Sequence, residues 1–130
     1  MIRRISSGGP WEDAFGYSRA VLAGDLAMVS GCTATVDGEV VHEGDAHEQT
    51  RTAIRIALSS LERLGLGAQD VVRTRMYITR ADDATEVGRA HGDFFAAVRP
   101  AASMLIVAGL LDPRMLVEVE VDAYRGSGER

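Results

Sequence analysis

The amino-acid sequence predicts an α+β domain, a mixed β-sheet with two helices packed on one face. Three observations carry that prediction. Val117, Val119, Val121 and Ala123 alternate with Glu118, Glu120, Asp122 and Tyr124, the pattern of a strand with one buried face. Thr50, Ala53, Ile54, Ala57, Leu58, Leu61 and Leu64 recur at helical spacing and form one apolar stripe. Strand-like runs lie on both sides of that stripe, and a second helical pattern separates two of them. With helices on one face only, the other sheet face must meet water or another subunit, so self-association is expected.

The elements follow in order. Residues 2–6 suit a short first strand, broken by Gly8-Gly9-Pro10. Residues 11–16 read as an irregular loop carrying Trp11 and Phe15. Residues 17–23 and 26–30 form two strands around Gly24-Asp25, a hairpin turn signal, and Gly31-Cys32 closes the second. Asp37-Gly38 marks another turn between residues 34–36 and 39–41. Asp45 is the N-cap of the first helix, with Glu48 three residues on as in a capping box, and Gly65 and Gly67 end it.

Residues 71–79 form a strand with Val72, Thr74, Met76 and Ile78 on one face and Arg73, Arg75 and Tyr77 on the other. The second helix starts at Asp82-Asp83 and runs to about Val98, turning Val87, Ala90, Phe94 and Ala97 or Val98 inward. Pro100 then forces extended chain. The nearly all-apolar run 99–109 suits a strand buried on both faces. Residues 1–125 make a single domain and residues 126–130 a frayed tail.

Composition narrows the function classes. With 130 residues, 46% apolar and 25% charged, the chain can bury a full core. A net charge of −5 opposes nucleic-acid binding. One cysteine excludes an internal disulfide and fits a reducing compartment, and no apolar run is long enough to span a bilayer. A cytoplasmic protein with no membrane and no nucleic-acid partner is expected. The acidic row Glu118, Glu120 and Asp122 is the main functional lead, because carboxylates in line repel one another unless water or cations face them.

Five stretches belong together: Gly16-Tyr17-Ser18-Arg19-Ala20-Val21, Gly24-Asp25 leading to Val29-Ser30-Gly31, the strand at 74–79, Arg99-Pro100-Ala101, and Met115-Leu116-Val117-Glu118-Val119-Glu120. In their order and spacing the chain resembles the Rid family, also called the YjgF or endoribonuclease L-PSP family, over nearly its whole length. The resemblance implies a chorismate-mutase-like, YjgF-type fold and a homotrimer with clefts between subunits. It also implies enamine or imine deaminase chemistry on a small-molecule ligand, with water as nucleophile and neither metal nor organic cofactor. Glu118 matches the glutamate that positions the water or relays its proton. Tyr17 and Ser30 match the pocket tyrosine and the serine ahead of glycine.

The carry-over breaks at one place. Ala102 stands where archetypal members have the arginine that grips the substrate carboxylate, Gly88 falls near their asparagine, and Met104 replaces a small or thiol residue. A charge-assisted hydrogen bond contributes roughly 1.5–3 kcal/mol, so weak or absent activity on 2-imino acids is expected. The leading expectation is a Rid-family hydrolase of an imine, enamine or similar activated C=N compound. In it Glu118 is catalytic, and Tyr17, Ser30, Gly88, Ala102, Ser103 and Met104 line the ligand. The alternative is a non-catalytic, metabolite-binding or chaperone-like trimer; a ribonuclease is not expected.

Ordinary roles compete with these. Most strand glutamates are simply solvated, and Glu120 and Asp122 read as structural, paired with Arg73, Arg75 or a neighbouring subunit. Tyr17 can be half-buried packing, and Ser30 can satisfy backbone at a strand end. Cys32 reads as inert packing. His42 and His47, in or near a loop, and His91, on the second helix, match no metal spacing and read as surface or capping residues. Arg99 reads as a solvated helix-end residue, while Arg114 has reach enough to cross an interface.

Overall fold

The computed structural model describes residues 1–126. Six strands form one mixed sheet in the order β1 (Ile2–Ile5), β2 (Ala20–Ala23), β3 (Leu26–Cys32), β8 (Val117–Tyr124), β6 (Val71–Ile78), β7 (Ala101–Ile106). β4 (Thr35–Val36) and β5 (Glu39–Val40) make a separate small hairpin. Every neighbour in the large sheet is antiparallel except β6 and β7. That pair is parallel because a helix, α3 (Ala84–Phe95), carries the chain back between them. Apart from Gly126, the tail expected at 126–130 lies outside the described residues.

The core lies between the sheet and two helices, α2 (Ala46–Arg63) and α3. Ala53, Ile54, Ala57 and Leu61 of α2 are fully buried, as are Val117, Val119, Val121 and Ala123 of β8. Burying one such valine contributes about 1.5–3 kcal/mol. The Asp45 carboxylate accepts the Glu48 backbone N–H at 3.0 Å, so the N-cap forms. Glu48 turns to His47 and Arg51 instead of returning to Asp45, which leaves half a capping box. Gly65, at φ +83°, ends α2 in the left-handed region that favours glycine.

Several expectations are corrected. Residues 11–16 are not a loop: Pro10–Phe15 form a helix, α1, with Pro10 in the first turn, where its missing N–H costs nothing. The face assignment of β6 fails at its start, where Val71 is buried and Val72 is 46% exposed. The register against β8 shifts between Val71 and Arg73, and that bulge moves one side chain to the other face. In α3 the fully inward aromatic is Phe95; Phe94 is only partly buried and lies beneath the guanidiniums of Arg51 and Arg55.

The run at 99–109 is not buried on both faces within one chain. β7 is the sheet edge, and Leu105 and Ile106 are exposed. An apolar run marks a strand that can be buried, not whether the same chain supplies the cover. Arg99 is not extended either, because it takes φ +59° and closes α3 by donating its N–H to the Phe95 carbonyl at 2.8 Å. One buried polar residue shapes the side facing the helices. Gln49 donates to the carbonyls of Val41, His42 and Arg114 and accepts the Leu116 N–H at 2.8 Å, tying the loop before β8 to α2.

Candidate functional site

The outward face of β8 carries the acidic row, and most of the row is paired. Asp122 accepts from Arg75 at 3.2 Å. Glu120 accepts from the Tyr77 hydroxyl at 2.8 Å, a bond that raises the Tyr77 pKa. Arg73 is occupied elsewhere, donating to Ser103 at 2.9 Å. The sequence expectation therefore holds for Asp122 with Arg75. For Glu120 it is corrected: a tyrosine takes the place of an arginine because Tyr77 shares the outward face of β6 one strand away.

Glu118 differs from its neighbours. It is half-buried, and no hydrogen-bond or ion-pair partner holds its carboxylate among the described residues. Burial pushes its pKa above the usual carboxylate range, the charge of Glu120 pushes the same way, and Arg19 opposes both. A carboxyl in that state can hold and release a proton closer to neutrality than a surface glutamate does.

A bulge makes room for it. The pairing of β3 with β8 runs Val29 to Val121 and then Cys32 to Val119, so β3 carries one extra residue at Ser30-Gly31. Cys32 is thereby returned to the core, and Gly31 is left beside Glu118. A Cβ on Gly31 would sit 2.1 Å from Oε2 and 2.7 Å from Cδ of Glu118. Only a glycine lets the carboxylate lie flat on this backbone. Behind the bulge, Arg19 donates through Nη1 to the Gly31 carbonyl at 3.1 Å and to Cys32 Sγ at 3.0 Å. The Cys32 thiol is buried, and burial raises its pKa.

Ser30 and Tyr17 stand at the same end. The Ser30 hydroxyl donates to the Ser18 carbonyl at 2.7 Å, which is the strand-end role, and its oxygen keeps acceptor capacity. Tyr17 is exposed. It follows directly on α1, whose Trp11 and Phe15 stack with centroids 5.2 Å apart and are both exposed. The Tyr17 N–H donates to the Glu12 carbonyl at 3.0 Å, and the buried Glu12 side chain accepts the Ser7 backbone N–H at 3.1 Å and its hydroxyl. The short helix is thus pinned to the segment before it, with three aromatic rings left outward.

The remaining predicted site residues form a second, separate group. Ala102 and Met104 pair with Thr74 and Met76 in the parallel register, which turns them to the helix side of β7. Met104 lies 3.9 Å from the position a Cβ on Gly88 would take. Ser103 faces the other way, toward Arg73. β6 separates β7 from β8, and Ala102 and Met104 point to the helix side while Glu118 points outward, so two strand spacings, roughly 10 Å, and the sheet itself stand between them. Within one chain these residues and Glu118 are not brought together.

The histidines take other roles. His47 is on α2, not in a loop, and lies near Glu48 at 3.0 Å and Asp93 at 3.3 Å. His91 is not a surface residue: it is half-buried, pairs with Thr74 at 2.8 Å, and burial lowers its pKa. Among the described residues no group of three or more His, Cys, Asp or Glu side chains could hold a metal. No helix there is long and apolar enough to cross a membrane. Arg114 is held at home by two hydrogen bonds to Asp112, which pull the Asp112 pKa down to about 2.

Arg19 and Gly31 are the two site residues that sequence reasoning left without a role. The signal for Gly31 was present, since a glycine inside an alternating strand marks a bulge. Arg19 had none, because its partners are a carbonyl and a sulfur brought to it by folding.

Comparison with known proteins identifies the scaffold. The endoribonuclease L-PSP family model matches residues 11–125. The uncharacterized protein SCO2049 of Streptomyces coelicolor is 46% identical over 126 residues, covering 97% of this chain and 94% of the relative. The crystal structure of Rv2704 of Mycobacterium tuberculosis, a member of the YjgF/YER057c/UK114 family, is 42% identical with a TM-score of 0.86. That match covers 95% of this chain and 99% of the other. YyfA of Yersinia pestis, a protein of unknown function in the Rid family, is 26% identical with a TM-score of 0.83, over 95% of this chain and 99% of its own. With a family model matched over most of its length and relatives at 42% and 46% identity over nearly the whole chain, the chain belongs to the endoribonuclease L-PSP family, the YjgF or Rid family.

Proposed function

We propose that this protein is a homotrimeric hydrolase of imines, enamines or similarly activated C=N compounds. Its sites would form where the Glu118 half of one subunit meets the Gly88, Ala102 and Met104 half of the next. The observation that carries the reading is Glu118: half-buried, unpartnered, raised in pKa, and seated on a glycine that leaves it space. In the reaction the carboxylate orients a water and takes its proton as oxygen bonds to the C=N carbon. Protonated Glu118 returns that proton to the nitrogen; as the C–N bond breaks, the new hydroxyl gives up its remaining proton to the leaving nitrogen through the same carboxylate, and a carbonyl compound and an amine or ammonia leave. Tyr17 and Ser30 orient the ligand from the Glu118 side, and Ser103 contributes from β7.

Ala102 sets the preference. It offers no cation to a carboxylate, and Met104 beside it presents a thioether, so the proposed substrates are uncharged at that end. The acidic balance of −5 gives RNA no electrostatic attraction, so ribonuclease action is not part of this reading. The test is ammonia and carbonyl release from imines generated in situ by an amine or amino-acid oxidase. Glu118→Ala should lower turnover by about 10²–10⁴-fold without altering the assembly; undiminished turnover removes Glu118 from the mechanism. Ala102→Arg should raise hydrolysis of 2-imino acids about ten- to a hundredfold.

The absence of an arginine at 102 also favours a second reading, a trimer that binds a metabolite and does not turn it over. A ligand that raises the melting temperature with no product formed would decide for it.

A further inference from the structure

We propose that Arg19 is the positioning residue of the Glu118 site, holding the Gly31 bulge from the helix side while its charge balances the acids on the other side. The proposal rests on the reading of Glu118 as the site's acid. Arg19 stands just ahead of β2 with its own backbone locked. Its N–H donates to the Ile5 carbonyl at 2.8 Å, and its carbonyl accepts the Ser30 N–H at 2.9 Å. From that fixed base Nη1 reaches both the Gly31 carbonyl and Cys32 Sγ. These two residues flank the peptide where β3 resumes its pairing with β8.

An arginine suits this place for a stated reason. Its long side chain ends in a planar guanidinium whose Nη1 reaches a carbonyl and a sulfur at once. A lysine keeps the charge on a shorter side chain without the plane, and a glutamine keeps a donor without the charge. No carboxylate forms an ion pair with Arg19 among the described residues, and its Nε is buried without a partner. Arg51, Arg75, Arg80, Arg89, Arg114 and Arg125 all contact carboxylates. Arg19 instead spends its donors on the bulge itself, at the Gly31 carbonyl and the Cys32 sulfur.

Among the described residues, the charged and titratable groups that act on Glu118 are few. Glu120 lies on its own strand and Tyr77 beside it on β6, while Cys32 on β3 and Arg19 ahead of β2 lie behind the bulge; Arg75, further along β6, is engaged by Asp122. Of these only Arg19 brings an unpaired positive charge. Its outer side opens on a cavity of about 380 Å³ against Thr52, Ile56 and Ser60 of α2, so the side chain can be exchanged without crowding the core.

The experiment is a ¹³C NMR titration of the Glu118 carboxyl in the full chain, assigned by its loss in Glu118→Gln. It compares wild type, Arg19→Lys and Arg19→Gln. Arg19→Gln should move the Glu118 midpoint to higher pH than in wild type. Arg19→Lys should hold the midpoint near wild type and shift the Gly31 and Cys32 amide resonances. A folded Arg19→Gln with an unmoved midpoint overturns the proposal. So do unchanged Gly31 and Cys32 amides in Arg19→Lys. Loss of fold in both variants also overturns it, since Arg19 would then belong to the core and not to the site. No turnover is needed, so a failed hydrolysis assay counts against the proposed reaction and leaves this measurement to be judged by itself.

Discussion

The two faces of β8 share one backbone and differ in almost everything else. Toward the helices, Val117, Val119, Val121 and Ala123 are each fully buried. Away from them, Glu118, Glu120 and Asp122 sit half-exposed in a row, and only Glu118 lacks a partner. The comparison shows how a period of two lets one strand serve stability and chemistry at once. The buried face has no tolerance for charge. The open face tolerates charge but must neutralise it, and Glu118 is the one of the three left without a partner among the described residues.

The largest expected effect breaks the buried face. Val119→Asp puts a carboxylate where no water reaches, and a buried unpaired charge costs several kcal/mol, a large share of a domain's total stability. The variant should lose cooperative thermal unfolding and dispersed amide resonances. A folded Val119→Asp would show that the core at β8 is looser than its full burial implies.

A middle effect separates the faces. Gly31→Ala requires no left-handed backbone, and the atoms in its way are the far end of the Glu118 side chain. Stability should therefore change by less than about 1 kcal/mol, as for a surface substitution. The carboxylate is nevertheless pushed off its seat, and turnover should fall about ten- to a hundredfold, since catalysis is sensitive to displacements near 1 Å. Chemical denaturation and turnover measured on the same sample check both halves. Equal losses in the two would mean that the bulge is structural only.

The smallest effect sharpens the comparison through pH. The Glu118 pKa is raised in the folded state by burial first and Glu120 second. A carboxyl whose folded pKa lies above its unfolded value favours folding when protonated and opposes it when ionised. Its penalty is thus fully present above the folded pKa and disappears as pH falls below the unfolded one. Glu118→Gln should then melt slightly higher than wild type near pH 7.5, and the gap should close on acidification. Calorimetry at several pH values checks this; a variant melting lower than wild type at neutral pH would show Glu118 to be stabilising. Asp112 has the opposite sign. Its pKa of about 2 means that Asp112→Asn should lose stability at neutral pH, with the difference fading as pH drops toward 2.

Much of the fold was legible because each long element carries its own period. The stripe on α2, its Asp45 cap and its Gly65 stop, the alternation of β8, and the Gly24-Asp25 and Asp37-Gly38 turns are local patterns. Misreadings arose where one residue breaks a period or a short apolar stretch has two solutions. The bulges at Val71/Arg73 and Ser30/Gly31 each shift a face by one residue, and α1 is too short for a helical period to register. The candidate site was read in its acid, Glu118, and in the departure at Ala102, both from resemblance to the family motif. Arg19 was named within that motif and given no part.

Alone, the sequence determined what each strand and helix must bury, because period and polarity are properties of neighbouring residues. It also determined that position 102 carries no cation. Only the tertiary structure decided that Gly31 is the seat of Glu118 and Arg19 its backing. These contacts join strands whose pairing has to form before the groups can meet. It alone decided as well that Gly88, Ala102 and Met104 stand across the sheet from Glu118. Strand order, which puts β6 between β8 and β7, is a choice among pairings that no single stretch of chain records.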